Sequence, residues 1–335
     1  MSGIKQVKFD RLKISAHPRI HVSLIGMNDN GYRINGGLGF SISSPTLNIV
    51  FEASDMFSIT DYRSSGFTDA ELHRLKDLIK RASVSKHFNV KYKAVIEDGP
   101  VCSHVGLGSN TIVYLACVEA LFIINGADYS SEDIVNCSSR GGTSGVGINS
   151  YFNGGFVLDI GVPNKESCDF APSSCYLHDH QLPLVLHQAK LPNWDLGICI
   201  PSIPHKTEVE EQAFFMEKCP IDRKSVEEIL YESVYGVTAS IMEHDFEVFC
   251  NSIDKLQTTR WKSLERNLYG TELKIIEERI RTSGAKCVGM SSLGPLLYFF
   301  GENIQDIIDR IISKDPNATC FASSFNNCGR MIEYD

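Results

Sequence analysis

The sequence lacks the short motifs that identify several enzyme classes. It has no C-x-x-C pair, no H-E-x-x-H helix and no G-x-S-x-G turn, which argues against a zinc ribbon, a zinc hydrolase and a serine hydrolase. Its 11 cysteines are an odd number scattered through apolar stretches, so they are typical of buried free thiols rather than of a disulfide framework. This cysteine pattern predicts a protein of a reducing compartment.

Long apolar runs and clusters of basic charge are also missing. The longest apolar run, 112–124, is interrupted by Glu119 and is too short to span a bilayer, and the N-terminal residues show no signal-peptide core. The formal net charge is −9 without any basic run, so a nucleic-acid partner is not expected. We therefore expect a cytoplasmic protein that acts on neither membranes nor nucleic acids.

The composition is that of a globular protein large enough for two domains. The chain has 335 residues, of which 43% are hydrophobic and 22% are charged. Alternating apolar residues at 19–25 predict a strand, and a capping box formed by Thr68 and Glu71 predicts a helix start. The stretch 159–194 lacks periodicity and marks the domain junction, so the predicted domains are 1–175 and 176–335.

The clearest candidate for ligand binding is the loop Gly106-Leu-Gly-Ser-Asn-Thr111, which opens a helix predicted at about 109–124. A helix start offers unpaired N–H groups and a partial positive charge, and glycines let a phosphate approach the backbone closely. No Lys follows the second glycine, so this is not a Walker A loop. The alternative is a plain loop capped by Ser109. The predicted substrate-binding residues are His104, Gly106, Leu107, Gly108, Ser109, Asn110 and Thr111.

A second glycine-rich segment runs from Ser138 to Gly147. Its Arg140 has a guanidinium suited to bidentate pairing with a phosphate or carboxylate. A tight turn between a helix and a strand, with Arg140 in a surface ion pair, is an equally good interpretation. The predicted functional residues are Arg140, Thr143, Ser144, Gly145 and Gly147.

The predicted strand at 19–25 places polar side chains on one face, where they border a cleft or face solvent at a sheet edge. The residues concerned are Arg19, His21 and Ser23, and the nearby candidates are Asn35, Gly36 and Gly37. The segment Gly289–Pro295 is either a close-approach site carrying Ser291 and Ser292 or a hairpin-like turn. His178 and His180 are best interpreted as a solvated loop rather than a metal site, whereas His187 is a candidate for the interdomain cleft.

Taken together, these segments resemble the GHMP small-molecule kinase superfamily. Within it, the closest similarity is to the β-ribofuranosylaminobenzene 5′-phosphate synthases and the related C-glycoside synthases that form C-nucleosides. The resemblance spans roughly residues 17–300 and is carried by Arg19-Ile-His21, Arg33, Gly36-Gly37-Leu-Gly39, His104–Ser109, Arg140, Ser144–Gly147, Gly154-Gly155-Phe, Pro183-Leu, Trp194 and Gly289–Pro295. It implies an α+β, GHMP-kinase-like fold, in which a ribosomal S5 domain 2-like N-terminal domain is joined to a ferredoxin-like C-terminal domain.

The resemblance also implies a reaction and its participants. Such enzymes couple 5-phosphoribosyl 1-diphosphate to an aromatic or heteroaromatic acid, such as 4-hydroxybenzoate or 4-aminobenzoate. Diphosphate and carbon dioxide leave as a C–C bond forms. Mg²⁺ and a homodimer are implied as well. On this basis Arg19, His21 and Arg140 are the predicted catalytic residues, and the glycine loops are predicted to hold phosphates.

Two positions depart from the family pattern. This chain has Gly26 and Asn35 where the pattern has Asp. The loss of two carboxylates predicts a change in Mg²⁺ handling or in the acceptor pocket, and it favours the C-nucleoside branch.

Two other functions stay open at this point. An ATP-dependent GHMP-type kinase would need an Asp base and a Lys near the γ-phosphate, and Asp159 is the candidate base without an assigned partner. A non-catalytic ligand-binding relative is compatible with the two Asp losses, although the three glycine-rich loops and Arg140 argue against it.

Overall fold

The computed structural model describes residues 11–63, 65–164, 170–175 and 181–334. Its strands are β1 (Arg11–Ala16), β2 (Arg19–Gly26), β3 (Arg33–Ser41), β4 (Leu47–Ala53), β5 (Ser58–Asp61), β6 (Tyr92–Ile96), β7 (Phe156–Asp159), β8 (Val162–Pro163), β9 (Val185–Ala189), β10 (Asp195–Ile200), β11 (Cys287–Met290), β12 (Leu297–Phe300), β13 (Thr319–Ser324) and β14 (Met331–Tyr334).

Its helices are α1 (Asp69–Lys86), α2 (Ser109–Ile124), α3 (Ser131–Ser138), α4 (Val146–Asn153), α5 (Glu208–Lys218), α6 (Arg223–Tyr231), α7 (Ala239–Glu243), α8 (Phe246–Thr258), α9 (Arg260–Asn267), α10 (Gly270–Thr282) and α11 (Ile304–Lys314). A 3₁₀ turn covers Ser173–Cys175, and a π-helical segment, Glu232–Thr238, joins α6 to α7. No helix in these described ranges is both long and apolar enough to cross a membrane.

Two sheets form the N-terminal part of the molecule, ordered β14-β1-β4-β6-β5 and β2-β3-β7-β9, with β8 added to β3. Helix α2 is apolar on all sides, with Leu115, Cys117 and Leu121 fully buried, which is typical of a helix inside a core. The predicted capping box of α1 is confirmed, because Thr68 and Glu71 each accept a hydrogen bond from the other's N–H. These two helices carry the loops that approach the candidate site.

The C-terminal sheet is antiparallel and ordered β11-β12-β10-β13. Helices connect β10 to β11, and α11 connects β12 to β13, which gives the β-α-β-β-α-β connectivity of a ferredoxin-like domain. Helix α11 buries Ile304, Ile307, Ile308 and Ile311 at the spacing of one helix face. The predicted α+β class is therefore confirmed.

Two strands from beyond residue 175 complete sheets of the N-terminal part. Strand β9 pairs with β7, and β14 pairs with β1. Phe40 of β3 packs against the rings of Tyr298, Phe300 and Phe325 and so ties the two parts together. The boundary at 175 stays a prediction, but two strands from its C-terminal side belong to sheets of the N-terminal part.

Helices α4, α5 and α9 were not predicted from the sequence. The segment after Arg140 leads into α4 rather than into a strand, so its interpretation as a helix-to-strand turn is wrong. Glycine at two of the four positions 144–147 disfavours helix locally, but Val146, Ile148 and Tyr151 are buried, and this packing outweighs the propensity. The new helices matter because α4 and α5 border the candidate site.

Candidate active site

An open cleft with an empty volume of about 1130 Å³ lies between the glycine-rich loops and the helices α5 and α9. Segments that are distant in the sequence meet there: β2, the loops before α2 and α4, and the turn between β11 and β12. Of the residues predicted from the sequence, the cleft is lined by Arg19, His21, His104, Gly106, Gly108, Ser109, Asn110, Thr111, Arg140, Thr143, Ser144, Gly147 and Ser292.

The carbonyl of Gly106 joins three of these segments. It accepts hydrogen bonds from Arg19 Nη1 at 2.6 Å and from Ser291 Oγ at 2.7 Å. Ser291 Oγ accepts from the His21 N–H at 3.0 Å, and the Ser292 N–H donates to the His21 carbonyl at 2.9 Å. A Cβ at residue 106 would lie 2.6 Å from the Ser291 carbonyl oxygen, so this approach requires glycine. The segment Gly289–Pro295 is thus both a hairpin turn and a close-approach site.

Helix α2 begins in the cleft without a side-chain cap. Gly108 is its N-cap residue, with φ of 71°, and Ser109 Oγ donates to the Cys102 carbonyl at 3.1 Å instead of capping the helix. The interpretation of this loop as capped by Ser109 is therefore wrong. The uncapped start leaves N–H donors and the positive end of the helix dipole available to an anion.

Helix α4 begins beside the start of α2. A Cβ at Gly147 would lie 3.3 Å from the Thr111 side chain, so the two helix starts are in contact. Gly145 is the N-cap of α4 and, like Gly108, provides no side-chain cap. Together the two starts form one wall of the cleft, which we call the anion cradle (Gly108–Thr111 and Ser144–Gly147), although at the α4 start the Gly145 and Val146 N–H groups already donate to Asp159 and to Ser144 Oγ.

Asp159 fixes the loop that leads into α4. Its carboxylate accepts hydrogen bonds from Ser144 Oγ at 2.8 Å, from the Gly145 N–H at 2.9 Å and from the Gly161 N–H at 3.0 Å. Burial raises the pKa of Asp159 to about 6, and these hydrogen bonds oppose that rise. Asp159 does not line the cleft, so its partners assign it to holding the loop and not to a kinase-type base.

Arg140 is a buried cation on the cleft wall. Its guanidinium lies 3.8 Å from the centre of the Tyr114 ring, a cation–π contact that fixes its orientation. The side chain is nine-tenths buried, and burial lowers the pKa of Arg140 while Tyr114 opposes the shift. The sequence-based alternative of a surface ion pair is therefore wrong, because the guanidinium is inside the cleft and not at the surface.

Arg19 and His21 carry different charges although they are neighbours on β2. Burial lowers the pKa of Arg19 to about 10, so it stays protonated at neutral pH. Burial, Arg19 and Lys262 together hold the pKa of His21 well below its usual value, so this imidazole is neutral. His21 can therefore act through hydrogen bonds but not as a cation.

His104 is a third basic group of the cleft. Its Nε2 donates to Glu71 Oε1 at 2.5 Å, and this hydrogen bond raises the pKa of His104 against the opposing effect of burial. Burial raises the pKa of Glu71, but hydrogen bonds from His104 and Thr68 outweigh it and lower the value to about 2. The His205 ring stacks on His104 with centroids 5.5 Å apart. Glu71, which the sequence indicated only as a helix cap, thus favours the protonated form of His104 beside the anion cradle.

The Glu71–His104 pair predicts a pH-dependent change in anion binding. In Glu71→Gln the capping box is kept, but the His104 pKa returns towards its ordinary value, so the cation is lost as pH rises through about 6.5. At about pH 7 we expect 5-phosphoribosyl 1-diphosphate to bind more weakly to the variant than to the native chain, and at about pH 5.5 the two to differ little. Calorimetric titration at both pH values checks this, and an equal loss at both would contradict it.

Eight predicted residues do not line the cleft: Ser23, Asn35, Gly36, Gly37, Leu107, Gly145, His187 and Ser291. A bulge in β2 after His21 disturbs the alternation, and Ser23 Oγ donates to the Leu24 carbonyl. Gly37 leaves room for the His21 ring, since a Cβ there would lie 2.8 Å from His21 Nε2. Gly36 donates its N–H to the Thr143 carbonyl. These residues lie behind the cleft wall and support the residues that line it.

The remaining members of this group have equally structural contacts. The Leu107 carbonyl accepts from the Arg19 N–H. His187 lies in β9 opposite Leu158 and near the Phe156 ring, so its predicted place in the cleft is wrong. His178 and His180 lie outside the described residues.

The two departures from the family pattern face each other. Gly26 and Asn35 are paired in the β2–β3 register, and a Cβ at Gly26 would lie 2.7 Å from the Asn35 carbonyl oxygen. Neither residue lines the cleft. Their identity therefore gives no support for an altered acceptor pocket.

The sequence analysis did not predict the wall of the cleft that α5 and α9 form. Helix α5 contributes Glu208, Glu211 and Phe215, and α9 contributes Glu265. Burial and the nearby Glu208 and Glu265 raise the pKa of Glu211 to about 7, although His104 and Arg19 oppose the rise. The capping box at Thr207 and Glu210 was the signal that could have identified α5.

The described residues do not form a metal site by themselves. No three His, Cys, Asp or Glu side chains gather in a metal-binding arrangement within those ranges. Two of the cleft carboxylates are already paired: Glu208 with Arg74 at 2.7 Å, and Glu265 with Lys262 at 2.5 Å. Any Mg²⁺ here would have to obtain most of its ligands from a bound substrate.

Comparisons with known proteins give two kinds of similarity. No family model matches the chain. The β-ribofuranosylphenol 5′-phosphate synthase of Methanothermobacter thermautotrophicus is 30% identical over 86% of this chain and 88% of that protein. The protein of the same name from Archaeoglobus fulgidus is 27% identical over 89% of this chain and 90% of its own length.

Solved structures match the fold over nearly the whole chain. A homoserine kinase from Cytophaga hutchinsonii has a TM-score of 0.68 at 18% identity and covers 98% of this chain and 99% of its own. The mevalonate kinase of L. major has a TM-score of 0.66 at 13% identity and covers 98% of each chain. A mevalonate diphosphate decarboxylase from Staphylococcus aureus has a TM-score of 0.63 at 16% identity, covering 97% of this chain and 98% of its own. These similarities confirm the predicted GHMP-kinase-like fold.

Proposed function

Because this chain belongs to the β-ribofuranosylphenol 5′-phosphate synthase family, an enzyme family of the pentosyl-transferring type, we propose that it is a decarboxylating C-glycoside synthase. It joins 5-phosphoribosyl 1-diphosphate to an aromatic or heteroaromatic carboxylic acid and releases diphosphate and carbon dioxide. The observation that carries this proposal is the anion cradle, where the uncapped start of α2 meets the start of α4 beside the cations Arg19 and Arg140 and beside His104.

The donor fits the charge of the cleft. A diphosphate carries several negative charges, and the cradle offers it the backbone N–H groups at the uncapped start of α2. Arg140 lines the same wall, with its fork held against Tyr114. Arg19 reaches the carbonyl of Gly106 with one nitrogen, while its buried Nε has no partner among the described residues. We assign the cradle and Arg140 to the diphosphate, and Arg19 with His21 to the 5-phosphate or the acceptor carboxylate.

The chemistry needs charge stabilisation at the leaving group. As the anomeric C–O bond breaks, its electron pair goes to the diphosphate, and fixed donors that stabilise this charge lower the barrier. The ring carbon that bears the carboxylate then forms the C–C bond with the anomeric carbon. Loss of carbon dioxide returns the electrons of the C–CO₂ bond to the ring and restores aromaticity.

We propose that Mg²⁺ reaches the cleft as a complex with the donor. Mg²⁺ is commonly bound through substrate phosphates and only one or two protein groups, which agrees with the dispersed carboxylates of the described cleft. When bound, it would neutralise part of the diphosphate charge.

A kinase function finds less support. Its Asp and Lys would have to be available to substrate, but Asp159 is hydrogen-bonded to the loop before α4. Lys262, which pairs with the cleft residue Glu265, also donates to the Met290 carbonyl and to the Ser292 carbonyl. Both groups are thus engaged in structural contacts.

We further propose a cytoplasmic homodimer, as the family resemblance implies. All ten cysteines within the described ranges are free, which agrees with a reducing compartment. Sedimentation of the purified chain would test the dimer.

Diphosphate release from a panel of acids tests the proposed function. The protein is incubated with 5-phosphoribosyl 1-diphosphate, Mg²⁺ and 4-hydroxybenzoate, 4-aminobenzoate or heteroaromatic acids, and diphosphate and carbon dioxide are measured together. We expect equal amounts of both with at least one acid and none without acid. A parallel assay with ATP is the control, and binding of ATP without binding of the diphosphate sugar would overturn the proposal.

A further inference from the structure

We propose that Glu211 and Phe215 of α5 form the acceptor subsite, where Glu211 takes a proton from a ring hydroxyl, amino or N–H group as the C–C bond forms. This inference rests on the proposed function and names the class of acceptor. It follows from the arrangement of α5 over the cleft, which the sequence did not reveal.

Glu211 and Phe215 are four residues apart on one helix, so their side chains are neighbours on the same face. Both line the cleft. Phe215 is buried and adds an apolar surface, to which Leu24 of β2 and Leu293 of the β11–β12 turn contribute from other elements. An aromatic ring placed on this surface would meet the Glu211 carboxylate at its edge.

Glu211 is the available carboxylate of this wall. Glu208 is paired with Arg74, Glu71 is bonded to His104, and Glu265 accepts from Lys262 and from Trp261 Nε1 at 2.7 Å. The Glu211 N–H donates to the Thr207 carbonyl, but its carboxylate has no hydrogen bond or ion pair among the described residues. A carboxylate in a cleft without a protein partner is free to receive a proton from a ligand.

The charges around Glu211 place it near the donor site. Glu208 on its own helix and Glu265 on α9 face it with negative charge, while His104 and Arg19 face it with positive charge. Arg19 also borders the anion cradle, since a Cβ at Gly108 would lie 3.0 Å from Arg19 Nε. An acceptor held by Glu211 is thus next to the bound diphosphate sugar.

The protonation state of Glu211 suits this role. Burial, Glu208 and Glu265 raise the pKa of Glu211 to about 7, and the positive charges of His104 and Arg19 oppose this rise. The hydroxyl of Tyr269 is also close enough to interact with the Glu211 charge. A group that titrates near the working pH can both accept and return a proton.

The proton is transferred and then returned. As the ring carbon attacks the anomeric carbon, positive charge develops on the ring and is shared with a conjugated hydroxyl or amino group. Glu211 accepts the proton of that group, which leaves a neutral dienone or imine that still bears the carboxylate. The C–CO₂ bond then breaks, its electrons restore the aromatic ring, and the oxygen or nitrogen takes the proton back from Glu211. The acceptor must therefore carry a removable proton conjugated to the carbon that loses carbon dioxide.

Glu211→Gln tests this assignment. We expect kcat to fall about 100-fold with 4-hydroxybenzoate or whichever acid the native chain uses, while KM for the diphosphate sugar stays unchanged. The rise of kcat through about pH 7 should disappear. Ring-fluorinated hydroxy acids, which are already ionised, should restore much of the rate. Glu210→Gln is the matched control, since Glu210 is exposed one residue earlier and Gln keeps its capping box.

A second variant tests the ring surface. Phe215→Leu should raise KM for the acid and leave KM for the diphosphate sugar unchanged. An unaltered Glu211→Gln enzyme, or one restored by excess Mg²⁺ rather than by ionised acceptors, would overturn the inference and leave the proposed function intact. If the native chain released no diphosphate with any acid, the proposed function and this inference would both fall.

Discussion

Arg140→Ala is expected to weaken binding of 5-phosphoribosyl 1-diphosphate by about 2–3 kcal/mol, which is roughly 30- to 150-fold. The guanidinium is buried in the cleft wall and held against Tyr114, so little order has to be gained when it pairs with a phosphate. Calorimetric titration with the diphosphate sugar measures the loss. Arg140→Lys should recover only part of it, because lysine keeps the charge but not the planar fork.

A nearby arginine provides the control for this prediction. Arg74 is half exposed, pairs with Glu208 at the edge of the cleft and does not line it. Arg74→Ala should therefore change binding by less than about threefold, as expected for an exposed ion pair. If Arg140→Ala bound the diphosphate sugar as tightly as the native chain, Arg140 would have no place in the donor site.

Lys262→Met is expected to destabilise the folded chain by about 3–5 kcal/mol. Lys262 and Glu265 form an almost completely buried ion pair, and Lys262 also donates to the carbonyls of Met290 and Ser292. The substitution leaves Glu265 charged and unpaired in the interior. Because burial already raises the pKa of Glu265, the loss should be smaller at low pH, where the carboxyl is protonated, and should grow as pH rises above about 4.5.

Urea unfolding over this pH range checks the prediction. The double variant Lys262→Met/Glu265→Gln should regain much of the stability, because the amide is neutral and its oxygen can still accept from Trp261 Nε1. A single variant as stable as the native chain at neutral pH would contradict the account. The turn that lines the cleft at Ser292 would then not depend on this buried pair.

The sequence predicted the parts of the site that depend on local structure. The capping box at Thr68 and the glycine loop before Ser109 are encoded by neighbouring residues, so both helix starts were predicted in the right place. The hydrogen bonds from Arg19 and Ser291 to the Gly106 carbonyl could not be derived from local sequence, because these residues are far apart in the chain. The family resemblance brought the three motifs together, and the structure gives the contacts.

Some candidate residues lie outside the cleft because the same residue pattern can form either a ligand loop or a close packing contact. The Asn35-Gly36-Gly37 segment has the composition of a ligand loop, but its glycines make room for neighbouring backbone and for the His21 ring. Glu211 is the opposite case, because nothing in the sequence indicated a role in the site. It lies in an acidic stretch typical of a solvated helix, and only the packing of α5 over the cleft gives it a buried environment.

The bond formed between the two substrates tests the central claim most directly. The protein is incubated with donor labelled with carbon-13 at the anomeric carbon and an acid labelled at the ring carbon that bears the carboxylate, and the product is examined by NMR. The account predicts a one-bond carbon–carbon coupling between the two labels, with the carboxylate released as carbon dioxide. A product without this coupling, joined through oxygen or nitrogen or still carrying its carboxylate, would contradict it.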